Sequence, residues 1–197
     1  MNRLIMGATA MVALAAPLRT MPAQDSLTTG TVLVYTTPDG GSREWRVEEA
    51  SHGVAHDGRS GCTRLRYAAG GPSAGPEERI TCIEGNRLWR WLASSGGWQL
   101  ARPLGPTDSL DVALRSGLAR YLTGVTGIDT VGGVPVAVVA TVVLTMDSTG
   151  TVIRRLHERF APGLGTATWG RFEVPEATSA SGWRTAQEFR MTAIRRP

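Results

Sequence analysis

The chain has 197 residues, a formal charge of +4 and 42% hydrophobic residues, enough for one domain with a sizeable core. Every basic side chain is an arginine, and the arginines are scattered apart from Arg154-Arg155 with Arg159 and the terminal Arg195-Arg196. A nucleic-acid surface needs a basic stripe on one face, so this distribution excludes nucleic acid as a partner.

The first residues divide into three zones: Met1-Asn2-Arg3 is positive, Leu4 to Ala16 is apolar and uncharged, and Pro17 to Gln24 is polar and helix-breaking. An apolar run of this size is too short for a bilayer, which needs about 20 residues, and fits the core of a cleavable signal peptide. The expected leader is residues 1–24, cut after Ala23 or Gln24, with Ala13-Leu14-Ala15 as the alternative site. The competing reading is a retained N-terminal anchor. No cysteine follows the apolar run, which excludes lipoprotein processing there. Loss of Arg3 and Arg19 with the leader lowers the formal charge from +4 to +2. Residues 25–197 then form a single domain with no integral membrane span, in a bacterial periplasm or secreted from the cell.

Short alternating runs separated by turn residues follow in the manner of an antiparallel meander. Thr31 to Thr36 leads through Pro38-Asp39-Gly40-Gly41 into Ser42 to Glu48, and His52 to His56 comes next. Cys62 to Tyr67 and Arg79 to Ile83 flank a Gly/Pro-rich tip; pairing them as a hairpin sets Cys62 opposite Cys82. In an oxidising compartment that predicts a disulfide. A metal or redox pair lacks further ligands and has no C-x-x-C spacing. Arg87 to Leu92 and Trp98 to Arg102 continue the meander.

Pro106-Thr107-Asp108 then precedes Leu110, Leu114, Leu118, Tyr121 and Leu122, a spacing that predicts a helix of about 14 residues ended by Gly124. Val134 to Asp147 is the clearest strand, with one wholly apolar parity from Val134 to Met146. Thr151 to Phe160 reads as its hairpin partner, although Val152, Ile153, Leu156 and Phe160 also fit a helical stripe. Trp183 to Ile194 is the last strand. The expected fold is mainly β: a curved antiparallel, half-barrel-like sheet of about eight to ten strands with one packed helix.

Phe160-Ala161-Pro162-Gly163-Leu164-Gly165 forms a corner between Thr151–Phe160 and Thr166–Val174. Pro162 ends the ladder, while Gly163 and Gly165 are free to take positive φ. In this order of strand, turn, strand, corner and strand, the last third of the chain resembles exported bacterial β proteins similar in outline to the periplasmic lipoprotein carriers (the LolA/LolB-like half-barrel). The resemblance implies a curved sheet around an apolar hollow, with the Thr107–Leu122 helix as its lid.

Gly71-Pro72-Ser73-Ala74-Gly75 matches the G-x-S-x-G elbow, with His157 downstream, but it lies in a hairpin tip rather than between a strand and a helix. His52 and His56 are four apart; on a strand they stand about 13 Å apart, too far to share one ion, and read as exposed strand-edge residues. No metal or cofactor is expected. Trp89 and Trp91 share a strand face, with Trp98 on the hairpin partner. The three are read either as core or as the wall of a ligand site. The leading expectation is a non-enzymatic exported protein whose partner is an apolar small molecule or lipid. The alternative is a β scaffold for an envelope protein, and a serine hydrolase is the remote one.

Overall fold

The computed structural model describes residues 27–68, 77–105, 109–114, 117–176 and 182–197. The leader 1–24 and the Ser73 loop lie outside these residues. All the regular structure described is β: β1 (Val32–Thr36), β2 (Ser42–His56), β3 (Arg59–Tyr67), β4 (Glu77–Glu84), β5 (Arg87–Leu92) and β6 (Gly97–Pro103) in the first half. The second half has β7 (Ser109–Leu114), β8 (Gly117–Val131), β9 (Val134–Asp147), β10 (Val152–Ala161), β11 (Thr166–Pro175) and β12 (Trp183–Arg195). They form one 12-stranded antiparallel sheet in which β1 pairs with β12 and β6 and β7 are the outermost strands. Tight turns make this meander possible. Asp57-Gly58 and Gly132-Gly133 have φ of 40°, 79°, 56° and 84°. Positive φ at both central residues matches the right-handed strand twist.

The segment expected as a helix is instead the β7–β8 hairpin, with Leu110 opposite Tyr121 and Asp111 opposite Arg120. The reason is arithmetic. A spacing of four is even, so Leu110, Leu114, Leu118 and Leu122 alternate as well on strands as on a helix. Only Leu118 to Tyr121 has a specifically helical interval. The pairing also allows a cross-strand ion pair, with Arg120 Nε and Nη2 donating to the two Asp111 carboxylate oxygens at 2.8 Å each. The two strands raise the total to twelve among the described residues, above the eight to ten expected, and no helix among those residues covers the sheet. The stretch expected as the partner strand, Thr151 to Phe160, is a strand from Val152 onward, β10.

The single apolar parity expected along β9 is also modified. Val136 and Val138 are buried on one face, then Val139, Thr141 and Val143 on the other. A bulge in β8, between Thr123 and Thr126, sits opposite this crossover and bends the sheet there. The main core gathers Leu33, Tyr35, Val47, Leu65 and Tyr67 with Val131, Val136, Leu164 and Met191. Side chains, rather than a ladder, draw the outermost strand β6 against β10 and β8 on the far side of the sheet. Arg102 of β6 pairs with Glu158 of β10 and lies 3.8 Å from the centroid of Phe160, which packs with Leu88 and Leu104. The Thr123 hydroxyl of β8 donates to the Pro103 carbonyl at 3.5 Å. The sheet is thus a nearly closed barrel with a seam at β6.

Candidate functional site

A hollow of about 700 Å³ opens beside the β1–β2 turn, a size typical of small-molecule sites. Four aromatic side chains wall it: Tyr35 on β1, Trp45 on β2, Phe172 on β11 and Phe189 on β12. They meet because β1, β12 and β11 are consecutive in the sheet although far apart in sequence. Tyr35 packs on Trp45 at 4.2 Å between ring centroids, the rings tilted by 40°, and meets Phe189 edge-on at 6.0 Å. Phe172 lies 6.5 Å from Phe189.

Two local features set this wall. Gly170 lies opposite Phe189 in the ladder, and a β-carbon there would stand 2.5 Å from the Phe189 ring. The absence of a side chain lets the ring lie flat against the strand. The Tyr35 hydroxyl pairs with Thr166 Oγ1 at 3.0 Å, anchoring the ring. Burial is the main cause pushing the Tyr35 phenol far above its ordinary range, so it remains a neutral hydroxyl. The indole N–H of Trp45 is shielded and has no hydrogen-bond partner; an unmade bond of this kind costs about 1–3 kcal/mol.

The rim is polar: Thr37, Asp39, Ser42, Arg43, Thr185, Gln187 and Glu188. Asp39 accepts from the Thr37 hydroxyl and from Gly41 N–H. The Thr37 hydrogen bond is the main cause holding its carboxyl below the usual carboxylate range. Glu188 accepts from Trp169 Nε1 at 2.9 Å.

The tryptophans singled out from the sequence gather elsewhere. Trp91 and Trp98 pair across β5 and β6, 5.5 Å apart, and pack with Val54 and Ile80 on the Cys62–Cys82 disulfide. Trp89 pairs with Cys82, under the Arg59 guanidinium at 4.1 Å. Alternation along β3 sets Cys62 on the face opposite Leu65 and Tyr67, and Tyr67 pairs with Val47, which shares its face with Trp45. The tryptophan trio therefore stands on the other side of the sheet from the hollow. The tip of the β2–β3 hairpin curls over it: Trp98 Nε1 donates to the Asp57 carbonyl at 3.1 Å.

His52 and His56 are separated by their partners. His52 reaches the Leu27 carbonyl at 2.7 Å, whereas His56 lies edge-on to Trp91 at 4.7 Å. β1 pairs only with the Ser42–Arg46 end of β2, so both histidines lie where β2 has β3 alone as a strand neighbour; His52 is exposed there and His56 is half-buried. His157 meets Glu173 at 3.2 Å. Among the described residues no group of three or more His, Cys, Asp or Glu side chains is arranged to hold a metal.

Pro162, Gly163 and Gly165 form the β10–β11 turn, in which Gly165 takes φ 65°. Its buried Leu164 joins the main core, and its Gly165 carbonyl accepts from Arg79 Nη1 at 3.3 Å.

The aromatic wall escaped sequence reading because its four members come from four separate segments. Tyr35 and Trp45 flank a recognisable Pro-Asp-Gly turn, but nothing local ties them to Phe172 and Phe189. No family model, curated protein or solved structure matches this chain.

Proposed function

We propose that this chain is an exported, non-enzymatic protein that holds an apolar or amphiphilic ligand in the bacterial envelope, in the periplasm or after secretion. The observation that carries the reading is the hollow walled by Tyr35, Trp45, Phe172 and Phe189, apolar within and polar at its rim. Such a distribution suits a molecule with a hydrocarbon body and a wet end. The barrel-like curvature agrees in outline with the periplasmic carriers, whose sheets also wrap an apolar hollow.

The compartment has its own support. The N-terminal 24 residues have the zones of a signal peptide. The Cys62–Cys82 disulfide belongs to an oxidising environment. No helix among the described residues is long and apolar enough to cross a membrane.

Native mass spectrometry of protein purified from its host envelope tests the reading. A mass raised by a solvent-extractable amphiphile supports it. A clean apo mass, in protein that co-purifies with another envelope protein, favours a scaffold instead. Replacing Phe172 and Phe189 together with Ala is expected to lower ligand occupancy about tenfold in affinity terms. Full retention in that variant would move the site elsewhere, the Trp89, Trp91 and Trp98 cluster being the next place to look.

A further inference from the structure

The hollow's rim carries three charged side chains, and they are not equivalent. Asp39 is engaged by its own turn, and Glu188 by the Trp169 indole. Arg43 lines the same hollow, is exposed, and makes no hydrogen bond, ion pair or ring contact among the described residues. It pairs across the ladder with Tyr35 and lies two residues from Trp45, on the same face of β2. That interval is about 7 Å, so the guanidinium sits one side-chain step from the aromatic wall. An arginine at such a boundary lays its stem along apolar surface and keeps its head in water. Its planar fork fits two oxygens of a carboxylate or a phosphate.

We propose that the hollow selects an anionic single-chain amphiphile, its acidic head at Arg43 and its alkyl chain along the Tyr35, Trp45, Phe172 and Phe189 rings. This rests on the hollow being the ligand site. It adds the sign of the head group and the residue that reads it. Asp39 and Glu188 keep their negative charges while accepting hydrogen bonds from the protein, so the preference rests on direct contact between the head group and the Arg43 fork and not on the net charge of the rim.

Isothermal titration of the delipidated mature protein tests this with four ligands of equal chain length, each below its micelle concentration: dodecanoate, dodecyl phosphate, dodecanol and dodecyltrimethylammonium. The two anions are expected to bind at least about tenfold tighter than the alcohol or the ammonium. Whichever anion binds tighter identifies the head as carboxylate or phosphate. Arg43→Gln is expected to bring the anion-to-alcohol ratio close to one, and Arg43→Lys to retain part of it. Arg46→Gln, on the opposite face of β2, should leave the ratio intact. Equal binding of anions and alcohol, tighter binding of the ammonium, or equal losses in the Arg43 and Arg46 variants would overturn the assignment while leaving the hollow as a ligand site. Failure of all four ligands to bind would remove the hollow reading itself.

Discussion

Tyr35 and Tyr67 are both sealed from water, yet only Tyr35 has a partner for its hydroxyl. Opposite responses to the same substitution follow. Tyr35→Phe removes a made hydrogen bond and leaves Thr166 Oγ1 short of one, so it should destabilise by about 1 kcal/mol. Tyr67→Phe removes a buried orphan and should be neutral or stabilising. Urea unfolding of the two variants checks the contrast, and equal losses would contradict it. Asp147 illustrates a different residue-scale effect. Its Oδ1 accepts from Thr149 N–H at 2.8 Å, Thr149 Oγ1 at 2.7 Å and Thr151 N–H at 3.0 Å. The Thr149 hydroxyl is the main cause that lowers its pKa below the ordinary value. A folded-state pKa below the unfolded one adds stability above the unfolded pKa of about 4, and that stability disappears as pH falls through the folded value. Asp147→Asn should therefore lose less of its stability than the parent when pH drops from about 5 to about 2, as read by urea midpoints. Parallel acid losses in the two proteins would refute this.

Among the elements, the β3–β4 hairpin is the one whose closure is covalent. Thr63 pairs with Thr81, which brings Cys62 and Cys82 to a Cα separation of 4.3 Å across the two strands. Both sulfurs are covered by the tryptophan cluster. Replacing both cysteines with Ala should lower the unfolding free energy by about 3 kcal/mol in the chain-entropy model. A urea series on the double variant is the check, and no change in midpoint would show that the cluster alone holds the hairpin. This element was legible beforehand, because alternation and a Gly/Pro tip fix the register of a local hairpin. The β7–β8 hairpin was not, because its leucines recur at an interval shared by helix and strand. What separates the two readings is a neighbour: β8 continues past Gly124 to Val131 because β9 supplies partners on both sides of the bulge.

At the scale of the whole molecule, β1–β12 pairing and side-chain contacts at the seam turn a meander into a near-barrel. The seam is the weaker closure. Arg102 and Glu158 are largely buried together there, and removing one partner of a buried pair leaves an uncompensated charge that costs about 3–5 kcal/mol. Glu158→Ala should destabilise by that order and raise hydrogen exchange first in β5, β6 and β7, with β1 and β12 still protected. Uniform exchange across all twelve strands would instead make the barrel one cooperative unit. The amino-acid sequence by itself determined the β class, the meander, the turn positions and the disulfide, because alternation and turn chemistry act over a few residues. Only the tertiary structure decided the twelve-strand count, the crossing of burial along β9, the seam, and the meeting of Tyr35 and Trp45 with Phe172 and Phe189. Those depend on which strands become neighbours after the sheet curls, a choice made by contacts more than a hundred residues apart in the chain.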